Sequence, residues 1–425
     1  MSTISESAVR TILKYDLRPT VEDNTEVPTF FLDKLLASAE GIQRTGGKNY
    51  YTYITAKAAK ALGVGQRGAG KTLPPGSTAT WYEHRIDLCR LYSTAEYDGP
   101  VKNIRSAEEL VDPLTDAVAD AKFGIKWQAQ ALFSGAGKSA IALIASATDN
   151  GSTVTYVCTR NEAYPGVGRL LPGMVIDSYN GTTGKGTNTQ GINTVTIDSV
   201  DPSAESFTVT EGSATGAASE YVFFDESSGS QVDAVPMGLV GIVDGPDSNN
   251  SSAYDYYEDL QGGDASAYKS WQAQTLTATS ARYLTGELLE DAARKIAQNS
   301  RDRSVDSSYV LYSAGAVRHR FRKDESRDVD WVNKTRVTAG VKTVDQMVND
   351  SMVSWVVDEC CGALCVMLIK PSDLAYKSLP MEVMDEEMFV RLENLDTYRM
   401  QLKQYSQIGC IRRDSHAVIR DLLET

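Results

Sequence analysis

From about residue 140 to residue 245 the chain is rich in Gly, Ser, Thr and Val and breaks into short runs of strand character. "TVTYVCTR", "GMVIDSYN", "NTVTIDSV", "SFTVTEGS" and "EYVFFDE" carry β-branched and aromatic residues between clusters of turn formers. That spacing is one of short strands and turns. It predicts an all-β module, a small barrel, set into a chain whose flanks read differently.

Upstream, "SAEELVDPLTDAVADAKFGIKWQAQALFSG" carries the clearest helical pattern. Ser106 with Glu109 offers a capping box; alternatively Asp112 caps and Pro113 takes the first position, where proline is tolerated. Leu114, Val118, Ala121, Ile125 and Ala129 recur at near-helical spacing, and Gly135 marks a stop. A helix of about 20 residues is about 30 Å long, enough to span a domain.

Downstream, "LTGELLEDAARKIAQNS" puts Leu284, Leu288, Ala292 and Ile296 in helical register. "SSYVLYS" reads as a strand and "AGAVRHRFRKD" as a short helix bearing Arg318, Arg320, Arg322 and Lys323. These four make a basic patch, either a solvated face or a contact for an acidic or phosphate-bearing partner. "SMVSWVVDE" and "GALCVMLIK" read as strands and "PSDLAYKS" as a short helix. Near the C-terminus Tyr398, Met400 and Leu402 alternate with Arg399, Gln401 and Lys403, the pattern of a half-buried strand.

Residues 47–95 read as a long two-stranded ribbon. "YYTYITA" goes out and "ATWYEHRIDLCRLYS" returns, with Tyr82, His84, Ile86 and Leu88 on one side and Glu83, Arg85 and Asp87 on the other. An isolated ribbon of this kind has little core and gains order by lying on something else. Its tip, "GVGQRGAGKTLPP", fits the phosphate-loop pattern through Gly65, Gly70, Lys71 and Thr72. That motif needs a helix starting at the Lys and Thr, and Pro74 and Pro75 bar one. A near-copy, "GAGKS" at Gly135–Ser139, has Leu132 where the first Gly belongs and reverses the order, with helix before and apolar run after. Both read as Gly-rich loops. A nucleotide-binding enzyme using Gly65–Thr72 is the alternative.

The formal charge is −14, from 42 basic and 56 acidic residues. A protein whose task is to grip nucleic acid usually carries the opposite sign. No apolar run reaches the ~18–20 residues of a membrane span, and "MSTISESAVRTILKYD" lacks a signal-peptide core. Cys360, Cys361 and Cys365 cluster in "DECCGALC", but the three histidines, His84, His319 and His416, lie elsewhere. Buried reduced thiols are therefore expected, not a zinc site. No catalytic constellation and no cofactor motif stands out.

In order along the chain, several segments resemble the major capsid protein of tailed double-stranded DNA bacteriophages, with its Hong Kong 97-type fold. "YYTYITAKAAKALGVGQRGAGKTLPPGSTATWYEHRIDL" resembles the extended E-loop of that family, and "LTDAVADAKFGIKWQAQALFSGAGKSAIA" its spine helix and Gly-rich exit. "GRLLPGMVIDSYN" resembles a turn of the inserted β domain. "MGLVGIVDG" and "LQGGDASAYKSW" resemble the return to the axial domain. "VSWVVDECC" and "DTYRMQLKQYSQIGCIRRDSHAVI" resemble the C-terminal peripheral strands.

The resemblance implies an α+β fold with an N-terminal arm (1–46), E-loop (47–95), peripheral domain with spine helix (96–139), inserted β-barrel-like domain (140–245), axial domain (246–375) and C-terminal peripheral strands (376–425). It implies self-assembly into pentamers and hexamers that form an icosahedral shell around double-stranded DNA, which the shell encloses without sequence-specific binding. It also implies a portal protein, a cement or decoration protein and, because the arm is short, a separate scaffolding protein. Gly65, Arg67, Gly68, Gly70 and Lys71 become intersubunit contacts at the E-loop tip. Some members of the family join subunits by a Lys–Asn isopeptide bond; no matching Asn and promoting acid is found here. The expected location is the virion, after assembly in the bacterial cytoplasm. A tail-tube protein is a further virion alternative.

Overall fold

The structure, a computed structural model, describes residues 3–4, 43–44, 49–57, 80–98, 113–135, 140–179, 194–210, 219–224, 237–245, 260–262, 271–300, 304–325, 335–338, 341–348, 351–379, 382–383, 390–391 and 396–424. The body is organised around one 14-residue strand, Thr397–Cys410. It pairs antiparallel with Cys89–Asp98 on one side and with Leu374–Ser378 on the other. Glu382–Val383 and Val390–Arg391 also pair with it, and Thr3–Ile4 adds a parallel strand beyond Cys89–Asp98. The expected alternation holds: Met400 and Leu402 are buried, while Arg399 pairs across the strands with Glu96 at 2.6 Å.

Helix α1, Pro113–Phe133, packs on this sheet and starts at the proline. Ala121, Ile125 and Ala129 form its buried stripe. Gly124 permits close approach, because a Cβ there would stand 2.8 Å from Ser93 Oγ. The last two turns are enclosed more widely, with Trp127, Ala131, Leu132 and Phe133 also buried. The reason is that the β module packs on them and shares one continuous apolar core with the body. Full burial of each large side chain is worth about 1.5–3 kcal/mol.

The β module is a seven-stranded sheet in the order Ser199–Asp201, Ser206–Val209, Val154–Cys158, Ala142–Asp149, Tyr221–Phe224, Val175–Tyr179, Val195–Thr196. Its two edge strands are consecutive in the chain. Ile197 N–H donates to Met174 O at 2.9 Å, and the next residue, Asp198, donates to Thr208 O at 2.9 Å. One bent segment thus closes the curled sheet.

A five-residue helix, α2 (Leu239–Val243), leads out of the module, and every residue in it is buried. A second seven-stranded sheet follows, in the order Gln274–Leu276, Ala417–Ile419, Val366–Ile369, Val310–Ser313, Ser351–Val357, Val341–Val348, Thr335–Thr338. Its central strands alternate between two cores. Leu311, Trp355, Leu368, Ala417 and Ile419 face helices α3 (Gly286–Asn299) and α4 (Gly315–Glu325), whereas Tyr312, Val356, Met367, Ile369 and Val418 join the main core. Burial on both faces is why "VMLI" is apolar without a break. Thr285 caps α3 by accepting Leu288 N–H at 3.3 Å. The buried stripe of α3 is Leu289, Ala292, Ala293 and Ile296, with Leu284 buried just ahead of the helix and Leu288 half-buried. No described helix is long and apolar enough to cross a membrane.

The structure corrects several expectations. The returning limb of the ribbon is two strands, Thr80–Asp87 and Cys89–Asp98, and the second belongs to the body sheet; the ribbon therefore ends at residue 88, not 95. "PSDLAYKS" is a single helical turn, Pro371–Asp373, followed by a strand of the body sheet that straddles the expected boundary at 375. The last strand, Ala417–Ile419, pairs in the second sheet instead of the peripheral one. Three stretches give strands that local pattern did not single out: Ala142–Asp149, Gln274–Leu276 and the Thr335–Thr338/Val341–Val348 hairpin.

Candidate functional site

The ribbon, Gln43–Arg44, Asn49–Lys57 and Thr80–Asp87, is a three-stranded sheet that shares no ladder with the other sheets among the described residues. It is fixed to the body at its root. His84 and Ile86 are 3% and 1% exposed, while Arg85 and Asp87 face solvent, as the alternation requires. The His84 ring lies 4.3 Å from that of Trp271, whose indole N–H donates to Leu260 O at 3.3 Å. Ile86 fills the space over Gly409, where a Cβ would meet Ile86 Cδ1 at 2.3 Å. Gln261 completes the socket from a left-handed backbone (φ 57°), its side-chain oxygen accepting Cys410 N–H at 2.7 Å.

Burial pushes the His84 pKa down to about 4, opposed by the nearby Leu260 carbonyl. The folded value lies below the ordinary 6.5, so the neutral ring stabilises the root above pH 6.5. That contribution is lost as pH falls towards 4, at most about 3 kcal/mol in all. Hydrogen exchange at 80–87, corrected for intrinsic rates, should accelerate steadily across this window. His84→Phe, which keeps a ring against Trp271, should flatten the response. A wild-type profile independent of pH would refute this assignment.

Elsewhere in the body, three buried arginines hold the module, α1, α2 and the second sheet together. Arg169 enters from the loop after Val154–Cys158. Its Nε donates to Cys360 O at 3.0 Å, and its Nη2 to Ala163 O at 3.2 Å and Ser134 O at 3.4 Å. Trp127 on α1 donates its indole N–H to Arg169 O at 3.3 Å. Arg413 donates from Nε to Ile242 O at 2.8 Å and from Nη2 to Gly241 O at 2.8 Å and Asp244 O at 3.1 Å. It supplies the donors that the last carbonyls of α2 lack within their own helix. Arg420 is paired with Asp244 and reaches Glu162 Oε2 at 3.5 Å, while Glu162 Oε1 accepts Asp421 N–H at 2.7 Å. Burial lowers the Arg169 and Arg420 pKa values, yet guanidinium basicity keeps both charged.

Backbones meet closely across this seam. A Cβ on Gly168 would stand 2.2 Å from Glu359 O, and one on Gly362 would stand 1.8 Å from Glu162 O. Asp358 accepts hydrogen bonds from Cys360 N at 2.9 Å, Tyr312 Oη at 2.7 Å and Gln130 Nε2. Burial raises the Asp358 pKa and also pushes up the thiols of Cys360, Cys89 and Cys158, the latter two to about 12. All six cysteines are free and buried, as expected. Among the described residues no group of three His, Cys, Asp or Glu side chains is placed to hold a metal. The charged groups of the seam are engaged with backbone and with one another, so the seam is a clamp.

Of the sequence-derived sites, Gly65, Arg67, Gly68, Gly70 and Lys71 lie outside the described residues, as does all of 58–79. In the second Gly-rich match, Gly135 follows the end of α1 and the strand Ala142–Asp149 comes after it. That is helix then strand, the reverse of a phosphate loop. Arg318, Arg320, Arg322 and Lys323 share α4, anchored by buried Val317 and Phe321, the latter 5.2 Å from Trp355. Arg320 lies over the Tyr283 ring at 4.4 Å. Burial lowers the Arg318 pKa, and like-charge Arg322 one turn on adds to the effect. The seam arginines were missed because a buried Arg has no local signature; "GCIRRDSHAVIRD" was visible only as strand.

No protein-family model matches the chain, and no curated protein matches it in sequence. Solved structures do match in fold. The cyanophage A-1(L) capsid asymmetric unit aligns with TM-score 0.52 and 14% identity over 96% of this chain and 96% of that one. An encapsulin complex from Synechococcus elongatus gives 0.47 and 8%, covering 98% and 96%. The capsid of a native GTA particle gives 0.47 and 8%, covering 97% and 98%. The first carries the fold: the chain has the α+β, Hong Kong 97-type fold, which it shares with that cyanophage capsid.

Proposed function

We propose that the chain is a major capsid subunit whose copies form pentamers and hexamers and tile an icosahedral shell around packaged double-stranded DNA. The observation that carries this reading is the likeness in fold to a cyanophage capsid over 96% of both chains. The molecule supplies a physical reason to assemble. Its ribbon shares no ladder with the other sheets among the described residues and is anchored at the His84–Ile86 root, and a free two- or three-stranded ribbon is marginal in water. A neighbouring copy supports it, and its Gly-rich tip with Lys71 makes the contact. Met347 and Met352, direct cross-strand partners, are 60% and 46% exposed, a thioether pair that a second copy would cover.

The role is structural, not enzymatic. The remaining partners are a scaffolding protein, a portal and a decoration protein, and the site of action is the virion. The net charge of −14 suits a shell that must not adhere to its genome. Negative-stain microscopy of purified chain, with and without a scaffold, tests the reading. Closed isometric particles support it; tubes favour a tail-tube protein, and monomers under every condition refute it. Replacing residues 58–79 by a short Gly-Ser linker should abolish closed particles while leaving the subunit's thermal transition in place. Lys71→Ala should change particle stability; saturable ATP binding that this variant destroys would point to a nucleotide enzyme instead.

A further inference from the structure

Between α3 and the edge strand Gln274–Leu276 lies a cavity of about 240 Å³ whose charged lining is Arg282, Arg294, Lys295 and Asp291. We propose that this cavity binds a phosphoryl group. Three cations face one carboxylate here, in a chain that is strongly acidic as a whole. Asp291, paired with Arg294 Nη2 at 2.7 Å, offsets one of the three cations and leaves the lining positive. That pairing orients the Arg294 fork at the mouth, where its side chain is 69% exposed.

The deeper groups are held in place and retain donors. Lys295 Nζ donates to Thr275 O at 2.7 Å, which fixes the ammonium and leaves two of its three protons for a ligand. Arg282 Nη2 donates to Leu276 O at 3.1 Å, while its buried Nε has no hydrogen-bond partner. Leu288 adds an apolar side to the lining. Cations arriving from two elements suit a tetrahedral oxyanion, whose several oxygens each take a donor. A planar carboxylate is satisfied by a single guanidinium fork. Tyr283, next in the chain after Arg282, carries Arg320 over its ring, so the basic face of α4 adjoins the same segment and draws anions towards it.

The source is either the phosphodiester backbone of duplex DNA or free phosphate, and the inference does not depend on shell assembly. Calorimetric titration of the purified full chain with inorganic phosphate, at constant ionic strength, should show one saturable site in the millimolar range. Acetate should bind at least about tenfold more weakly. Arg294→Gln should weaken phosphate about tenfold without moving the thermal transition. Arg282→Lys, which keeps the charge but removes the guanidinium fork, should weaken it too. In a second arm, 20-base-pair duplex binding that falls with Arg294→Gln assigns the DNA backbone; duplex binding indifferent to that change assigns free phosphate. Absence of saturable phosphate binding, acetate equal to phosphate, or two variants that titrate like the wild type would each overturn the proposal.

Discussion

Gly362→Ala is expected to leave almost no soluble, folded subunit. The added Cβ would stand 1.8 Å from the Glu162 carbonyl oxygen and 2.6 Å from its carbon. Both sides of this contact are backbone, so neither can swing aside. The 161–163 segment is tied in place from several directions: Ala363 N–H donates to Asn161 O at 2.9 Å, Asp421 N–H to Glu162 Oε1 at 2.7 Å, and Arg169 Nη2 to Ala163 O at 3.2 Å. Relieving the clash breaks the seam between the module and the second sheet. A cost of about 4 kcal/mol or more consumes much of the about 5–15 kcal/mol that an ordinary protein has. Gly151→Ala is the matched control. Gly151 has φ 88° and nothing within 4 Å, so only backbone strain of about 1 kcal/mol is added. The soluble fraction and the thermal midpoint decide it: a Gly362→Ala chain that melts like the Gly151→Ala chain refutes the close-approach account.

Arg413→Met should cost about 3–5 kcal/mol in denaturant unfolding. Methionine keeps the apolar stem and removes the guanidinium, leaving the Gly241, Ile242 and Asp244 carbonyls without their donor in a fully buried site. The damage should appear first at α2, as faster hydrogen exchange over 239–245, because these are its last carbonyls. Assembly should fail in proportion, since α2 connects the module to the rest of the body. A loss under about 1 kcal/mol would mean that water replaces the guanidinium without penalty and that Arg413 is not the cap described.

Much of this fold was legible in local sequence because periodicity reports which face of an element is dry. His84 and Ile86 against Arg85 and Asp87, Met400 and Leu402 against Arg399, and Val154, Tyr156 and Cys158 in the module follow that rule. It fails where both faces are dry. Val366–Ile369 has no polar side, so it reads as apolar without saying against what. It fails again where the signal is short: Gln274–Leu276 is a three-residue edge strand whose partner lies about 140 positions away.

The cysteine cluster shows the same limit from another side. "DECCGALC" drew notice for its thiols, yet the demanding residue in it is Gly362, and the partner that makes it so is Glu162. Likewise Leu88 gave no warning that it separates a ribbon strand from a body strand, because the pairing of Cys89–Asp98 is set by Thr397–Cys410.

By itself, the amino-acid order determined the helix at Pro113, the β module, the amphipathic ribbon and the burial of reduced thiols, all consequences of how each short segment meets water. Only the tertiary structure decided where the ribbon ends, which sheet takes the last strand, and why Arg169, Arg413 and Arg420 are inside. Those outcomes depend on groups far apart in the chain, and a charge becomes tolerable in the interior only when the fold brings carbonyls and carboxylates to surround it.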